Sequence, residues 1–123
     1  MTRAAEIPTT AAEARDRVHD LLEICLRTVD EVVLTDALLI TSELVTNALR
    51  HAGGLTAFTA RVVDDRFEVA VEDASPVHPS LPGDRPVAAI GGYGWPMVRQ
   101  LATSLAITPT AGGKCIHAAL RLW

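Results

Sequence analysis

Residues 38–51, Leu-Leu-Ile-Thr-Ser-Glu-Leu-Val-Thr-Asn-Ala-Leu-Arg-His, constrain the fold more than any other stretch. Leu38, Ile40, Leu44, Val45, Ala48 and Leu49 recur at helical spacing, so the segment reads as a helix with an apolar flank that must be covered. Glu43 and Asn47 lie four residues apart and are neighbours on one face, which Arg50 or His51 extends by a further turn. A carboxylate and a carboxamide within such a helix are costly to bury without partners. A metal ion and a phosphate chain would be suitable partners. Taken alone, the pair also fits a plain solvated stripe on an amphipathic helix.

The rest of the chain supplies the covering layer. Thr9 or Thr10 is a good N-cap, with Glu13 in the capping-box relation to Thr10. A first helix should run from there to about Arg27, with Val18, Leu21, Leu22, Cys25 and Leu26 inward and Arg15, Asp16, Asp20, Glu23 and Arg27 toward water. The second helix starts near Val32 to Thr35 and ends at Ala52, stopped by Gly53-Gly54. Residues 55–63 and 66–73 read as two strands around an Asp64-Asp65 turn, and Phe67, Val69 and Val71 alternate with Arg66, Glu68, Ala70 and Glu72. Such alternation belongs to an antiparallel sheet covered on one side. From residue 74 to 93 no period survives, and Pro76, Pro79, Pro82 and Pro86 punctuate a loop of the length that functional lids have. A third helix begins after Gly94, with Pro96 in its first turn and Val98, Leu101, Ala102 and Leu105 as its apolar face. Residues 106–110 and 114–122 flank Ala-Gly-Gly as a second hairpin. The order implies an α+β fold, a two-layer sandwich with one four-stranded, mostly antiparallel sheet and three helices on one face. At 123 residues the chain is expected to be one domain, 1–123.

Composition narrows the function. With a net charge of −4 and no basic arm, direct binding to nucleic acid is not expected. No uninterrupted apolar run approaches the roughly 20 residues of a membrane span, and the first residues lack the apolar core of a signal peptide. A cytoplasmic protein is the expectation. Cys25 and Cys115 lack a metal-ligand spacing and read as buried thiols, and with His19, His51, His78 and His117 scattered, no zinc or iron site is expected.

Two later stretches give the Glu43–Asn47 pair a context. Asp73 stands where the second strand ends and the long loop begins, a place from which a carboxylate can accept a hydrogen bond from an exocyclic amine, or simply start a turn. Gly91-Gly92-Tyr93-Gly94-Trp95-Pro96-Met97-Val98 leads glycines into a helix N-terminus, where backbone N–H groups can approach a phosphate, or where glycines can serve a hinge. The segment is neither a Walker A loop nor a Rossmann fingerprint.

A helix-borne Glu-x-x-x-Asn, then a strand ending in Asp, then a long loop ending in Gly-x-Gly before a helix resembles the GHKL (Bergerat-fold) ATP-binding domains. From about residue 8 to 123 the chain looks like their small stand-alone, histidine-kinase-like members, the anti-sigma-factor serine/threonine kinases. The resemblance implies ATP and magnesium as cofactors. It implies that Asn47 holds magnesium against the triphosphate and that Glu43 orients or deprotonates the attacking nucleophile. Arg50 and His51 would sit at the nucleotide end of the same helix. Asp73 would recognise adenine, Gly91, Gly92, Tyr93, Gly94 and Trp95 would lie beside the phosphates, and residues 74–93 would form the ATP lid. Its implied partners are a sigma factor and an anti-sigma-factor antagonist phosphorylated on Ser or Thr, with a homodimer expected from the same relatives. The alternative is a non-catalytic, nucleotide-sensing module that binds a protein. Departures exist: Ala74, Ser75, Pro76 and Val77 follow Asp73 where the family usually has glycines, and Trp95 and Pro96 are bulkier and stiffer than its usual residues. Trp95 could be core, could cover the nucleotide, or could face a partner.

Overall fold

A computed structural model describes residues 6–25, 27–77 and 94–123. In chain order these form α1 (Ala11–Glu23), α2 (Glu31–His51), β1 (Leu55–Val63), β2 (Arg66–Asp73), α3 (Gly94–Leu101), β3 (Ser104–Pro109) and β4 (Lys114–Arg121). The strands form one sheet in the order β1-β2-β4-β3, antiparallel at every pairing. The three helices and the inward side chains of the sheet share a single core. The architecture is therefore the α+β sandwich read from the sequence.

Local chemistry sets the element ends. Thr10 caps α1 by accepting from the Glu13 N–H at 3.1 Å, while the Glu13 carboxylate reaches back to Thr9 rather than to Thr10. α1 stops at Glu23, short of the expected Arg27, and Ile24 beyond it is 79% exposed. Arg15, expected to face water, donates to Ser42 Oγ at 2.9 Å and ties α1 to α2. Asp30 caps α2 through the Val32 N–H at 2.8 Å, so this helix begins just before the expected range. Ala37, Ile40, Thr41, Leu44, Val45 and Ala48 form its buried flank, and Thr41 satisfies its hydroxyl on the Ala37 carbonyl. Leu49, assigned to that flank from spacing, is 41% exposed. By length and composition alone, Glu31–Arg50 passes as a possible membrane span, although Asp36 and Glu43 interrupt its apolar residues. Here its apolar flank lies against the sheet and the other helices.

Period-two phase sets the sheet faces. Phe67, Val69 and Val71 on β2 stand opposite Leu120, Ala118 and Ile116 on β4, all buried beneath the helices. Glu68, Ala70 and Glu72 look the other way, with Arg61 bonded across the strands to Glu68 at 2.9 Å. Asp64, at φ 56°, makes the turn between β1 and β2. α3 ends at Leu101, so Leu105, expected on its apolar face, lies instead in β3 opposite Ala118.

The β3–β4 hairpin closes through reciprocal bonds between Thr110 and Gly113, each 3.0 Å. Gly113 is fixed by a close approach: a Cβ there would lie 1.9 Å from the Asp73 carbonyl oxygen. Gly113→Ala should therefore force the two strand ends apart and lower stability by about 1–3 kcal/mol. Denaturant unfolding measures this, and an unchanged midpoint would contradict the packing.

Candidate functional site

One sheet end and one end of α2 are stitched together. α2 terminates through Gly53 at φ +73° and Gly54 at φ +118°, a geometry glycine adopts without a Cβ clash. The Gly54 N–H donates to the Ala48 carbonyl at 3.1 Å. The Ala74 N–H, one residue past β2, donates to the carbonyls of Ala52 and Gly54 at 3.1 and 3.2 Å. The strand end that carries Asp73 is thereby clipped to the end of the helix that carries Asn47.

Asp73 continues the inward phase of Phe67, Val69 and Val71 and is 3% exposed. Lys114 continues the inward phase of Ile116, Ala118 and Leu120, and stands directly opposite Asp73 in the register. Its ammonium donates to Asp73 Oδ1 at 3.1 Å and to the Ser75 carbonyl at 3.0 Å. The Ser75 N–H also donates to Asp73 Oδ1, at 2.9 Å, in an Asp-initiated turn. Oδ1 is thus fully engaged, while Oδ2 takes no hydrogen bond from any described residue. The sequence reading gave Lys114 no role at the site. The signal that could have found it is phase: Lys114 shares the parity of Ile116, Ala118 and Leu120, which is inward, and a lone lysine in that register needs a carboxylate.

Glu43 and Asn47 lie on α2, both partly buried, and neither hydrogen-bonds to a described residue. The Glu43 carboxylate rests on the first residue of α3, where a Cβ on Gly94 would fall 1.9 Å from Glu43 Oε2. A side chain at position 94 would displace that carboxylate, and the contact places a negative charge at a helix N-terminus, where it is favoured. Arg50 is exposed, and His51 closes α2, its side chain outside the described part. Trp95 is 9% exposed and packs in the core, the first of the three roles open to it from sequence. Gly91, Gly92, Tyr93 and the lid from residue 78 onward lie outside the described residues, so the phosphate-side glycines and the lid are carried over from the sequence reading alone.

On the opposite face of β4, burial pushes the Cys115 thiol up from its ordinary value, and the charges of Glu72 and Asp73 add to the shift. A thiol so shifted stays protonated and is a poor nucleophile. Among the described residues no group of three or more His, Cys, Asp or Glu side chains gathers as a metal site.

A family model described as histidine kinase-like ATPase domain matches residues 4–120. The chain belongs to the histidine kinase-like ATPase domain family. It also resembles solved structures of the Erythrobacter litoralis EL346 blue-light activated histidine kinase. One is matched at TM-score 0.58 and 20% identity, over 90% of this chain and 40% of that one. The histidine kinase domain of the same protein is matched at TM-score 0.56 and 20% identity, over 99% of this chain and 65% of that one. This chain therefore spans less than two thirds of those chains, and at this identity the likeness concerns the fold. No curated protein matches it.

Membership makes this histidine kinase-like ATPase domain an ATP-binding regulatory domain. Its own residues fit the nucleotide: Asn47, Glu43 and Asp73 Oδ2 all keep hydrogen-bonding capacity that no described residue uses.

Two expectations follow from this geometry. Lys114→Met leaves a buried carboxylate without its counter-charge, a loss of about 3–5 kcal/mol. Adding Asp73→Asn should recover most of it in a denaturant double-mutant cycle, and additive losses would refute the coupling. Asn47→Ala should weaken magnesium-dependent ATP binding by about 10-fold or more with the fold retained. Unchanged affinity in calorimetry with magnesium present would remove the metal role of Asn47.

Proposed function

We propose that this domain is a cytoplasmic serine/threonine protein kinase of the anti-sigma-factor type. It would bind a sigma factor or similar regulator and transfer the ATP γ-phosphoryl group to a Ser or Thr of an antagonist protein. The observation that carries this reading is the position of Glu43. Its carboxylate lies against the start of α3, one helical turn from Asn47, without a basic partner among the described residues. An unpaired carboxylate there is available to orient or deprotonate a hydroxyl. Asn47 would hold magnesium, which when bound offsets charge on the phosphate oxygens. Asp73 would accept the adenine amine, and the N-terminus of α3 would favour the charge that develops during transfer.

A second reading is a non-catalytic module that senses nucleotide and holds a protein partner. It is favoured by Ala74, Ser75 and Pro76 after Asp73, where the family usually has glycines, because proline stiffens the start of the lid. It is also favoured by Lys114, which braces the same turn through the Ser75 carbonyl.

Glu43→Ala separates the two. On the kinase reading, ATP affinity stays nearly intact while transfer of labelled phosphate to an antagonist protein falls by about 10²–10⁴-fold. Joint loss of melting temperature and nucleotide affinity would make Glu43 structural. If the unaltered protein labels no candidate partner and Glu43→Ala changes nothing, the binding-module reading stands.

A further inference from the structure

Lys114 has no task in the chemistry assigned to Glu43, Asn47 and Asp73. It is a buried cation, its side chain 4% exposed, with two of its donors spent on Asp73 Oδ1 and the Ser75 carbonyl. An ammonium has three N–H donors, so one finds no acceptor among the described residues. Asp73 is its counterpart: its side chain is 3% exposed, Oδ1 takes two bonds and Oδ2 takes none from a described residue. A spare donor and a spare acceptor therefore stand on one directly paired couple of side chains, and since no fully buried polar side-chain atom among the described residues lacks a partner, that capacity is open to a ligand rather than sealed in the core. Both are held in place by cross-strand register and by the turn at Ser75, so neither is a floppy surface group.

We propose that Asp73 and Lys114 form a two-point reader of the adenine edge, in which Lys114 donates to ring nitrogen N1 while Asp73 Oδ2 accepts from the N6 amine. The inference rests on reading this as an adenine-nucleotide site and adds a residue that decides its specificity. Adenine presents a donor and an acceptor side by side on its Watson–Crick edge, and an acceptor beside a donor is the complement. Guanine presents the reverse order, so in the same pose carbonyl would face carboxylate and N–H would face ammonium. An ammonium has no lone pair and cannot switch roles, as a hydroxyl or an amide could. Such a site rejects an analogue that leaves its buried groups unpaired.

The test is calorimetry on the full chain with magnesium, using ATP, an ATP analogue in which N1 is replaced by C–H, and GTP. The unaltered protein should bind the analogue about 10-fold more weakly than ATP, the effect of one charge-assisted hydrogen bond. GTP should bind more weakly still. Lys114→Met, measured below its unfolding midpoint, should bind ATP and the analogue equally. Equal affinity of the unaltered protein for ATP and the analogue overturns the reader while leaving adenine-nucleotide binding intact, and it needs no variant that folds. A Lys114→Met protein that still discriminates at N1 also overturns it. If the unaltered protein binds no ATP, both the adenine site and the reader fall.

Discussion

α2 has to be buried along one flank and accessible along the other, and the remaining elements are arranged around that requirement. Ala37, Ile40, Leu44, Val45 and Ala48 are removed from water by the sheet, α1 and α3. Burial of that kind supplies most of the helix's stability, since propensity alone would not hold it in place. The opposite flank keeps Glu43, Asn47 and Arg50 at least partly exposed. If α2 were rotated by a third of a turn, the carboxylate and the carboxamide would be submerged without partners, at the cost of unpaired buried polar groups. The hydrophobic pattern that fixes the rotation of the helix is therefore also what aims its polar residues.

The connections on either side convert that orientation into a site. Gly53 and Gly54 stop α2 abruptly, and the carbonyls left at its end are met by the N–H of Ala74, just past β2. Gly113 lets the β3–β4 hairpin press on the backbone of Asp73, and Gly94 lets the Glu43 carboxylate lie on the start of α3. In both places a missing Cβ sets the approach. Backbone contacts join the ends of α2, β2 and β4, while α3 meets α2 through the Glu43 carboxylate.

The Asp73–Lys114 pair belongs to this convergence but is governed by different energetics. Withdrawing two charges from water is expensive, and a well-packed apolar pair would often be as stable. The pair is thus poor evidence for stability and better evidence for a specific task at that sheet end. The Asp73 carboxylate also acts on the far face of β4, where burial first, then Glu72 and Asp73, keep the Cys115 thiol protonated.

Much of this was legible in the linear chain. β1 and β2 were readable to the residue because their side chains alternate and Asp64-Asp65 can only be a turn between them. The Glu43–Asn47 spacing placed both side chains on one helical face, since four residues nearly complete a turn. Other features needed the tertiary structure. Leu101, Ala102 and Leu105 carry a helical spacing, yet Leu105 lies in β3, because short apolar runs suit either state and pairing with Ala118 decides between them. The periodicity of α1 continues to Leu26 in sequence, yet the helix stops at Glu23. Trp95 was open to three roles from sequence, and burial beneath the sheet's inner face settled it as core. Lys114 shows the difference most clearly. Its parity with Ile116, Ala118 and Leu120 was written in the sequence, but the partner that makes its burial possible lies 41 residues earlier on another strand. Local pattern dictates which face a side chain takes; only the register between strands determines what it meets there.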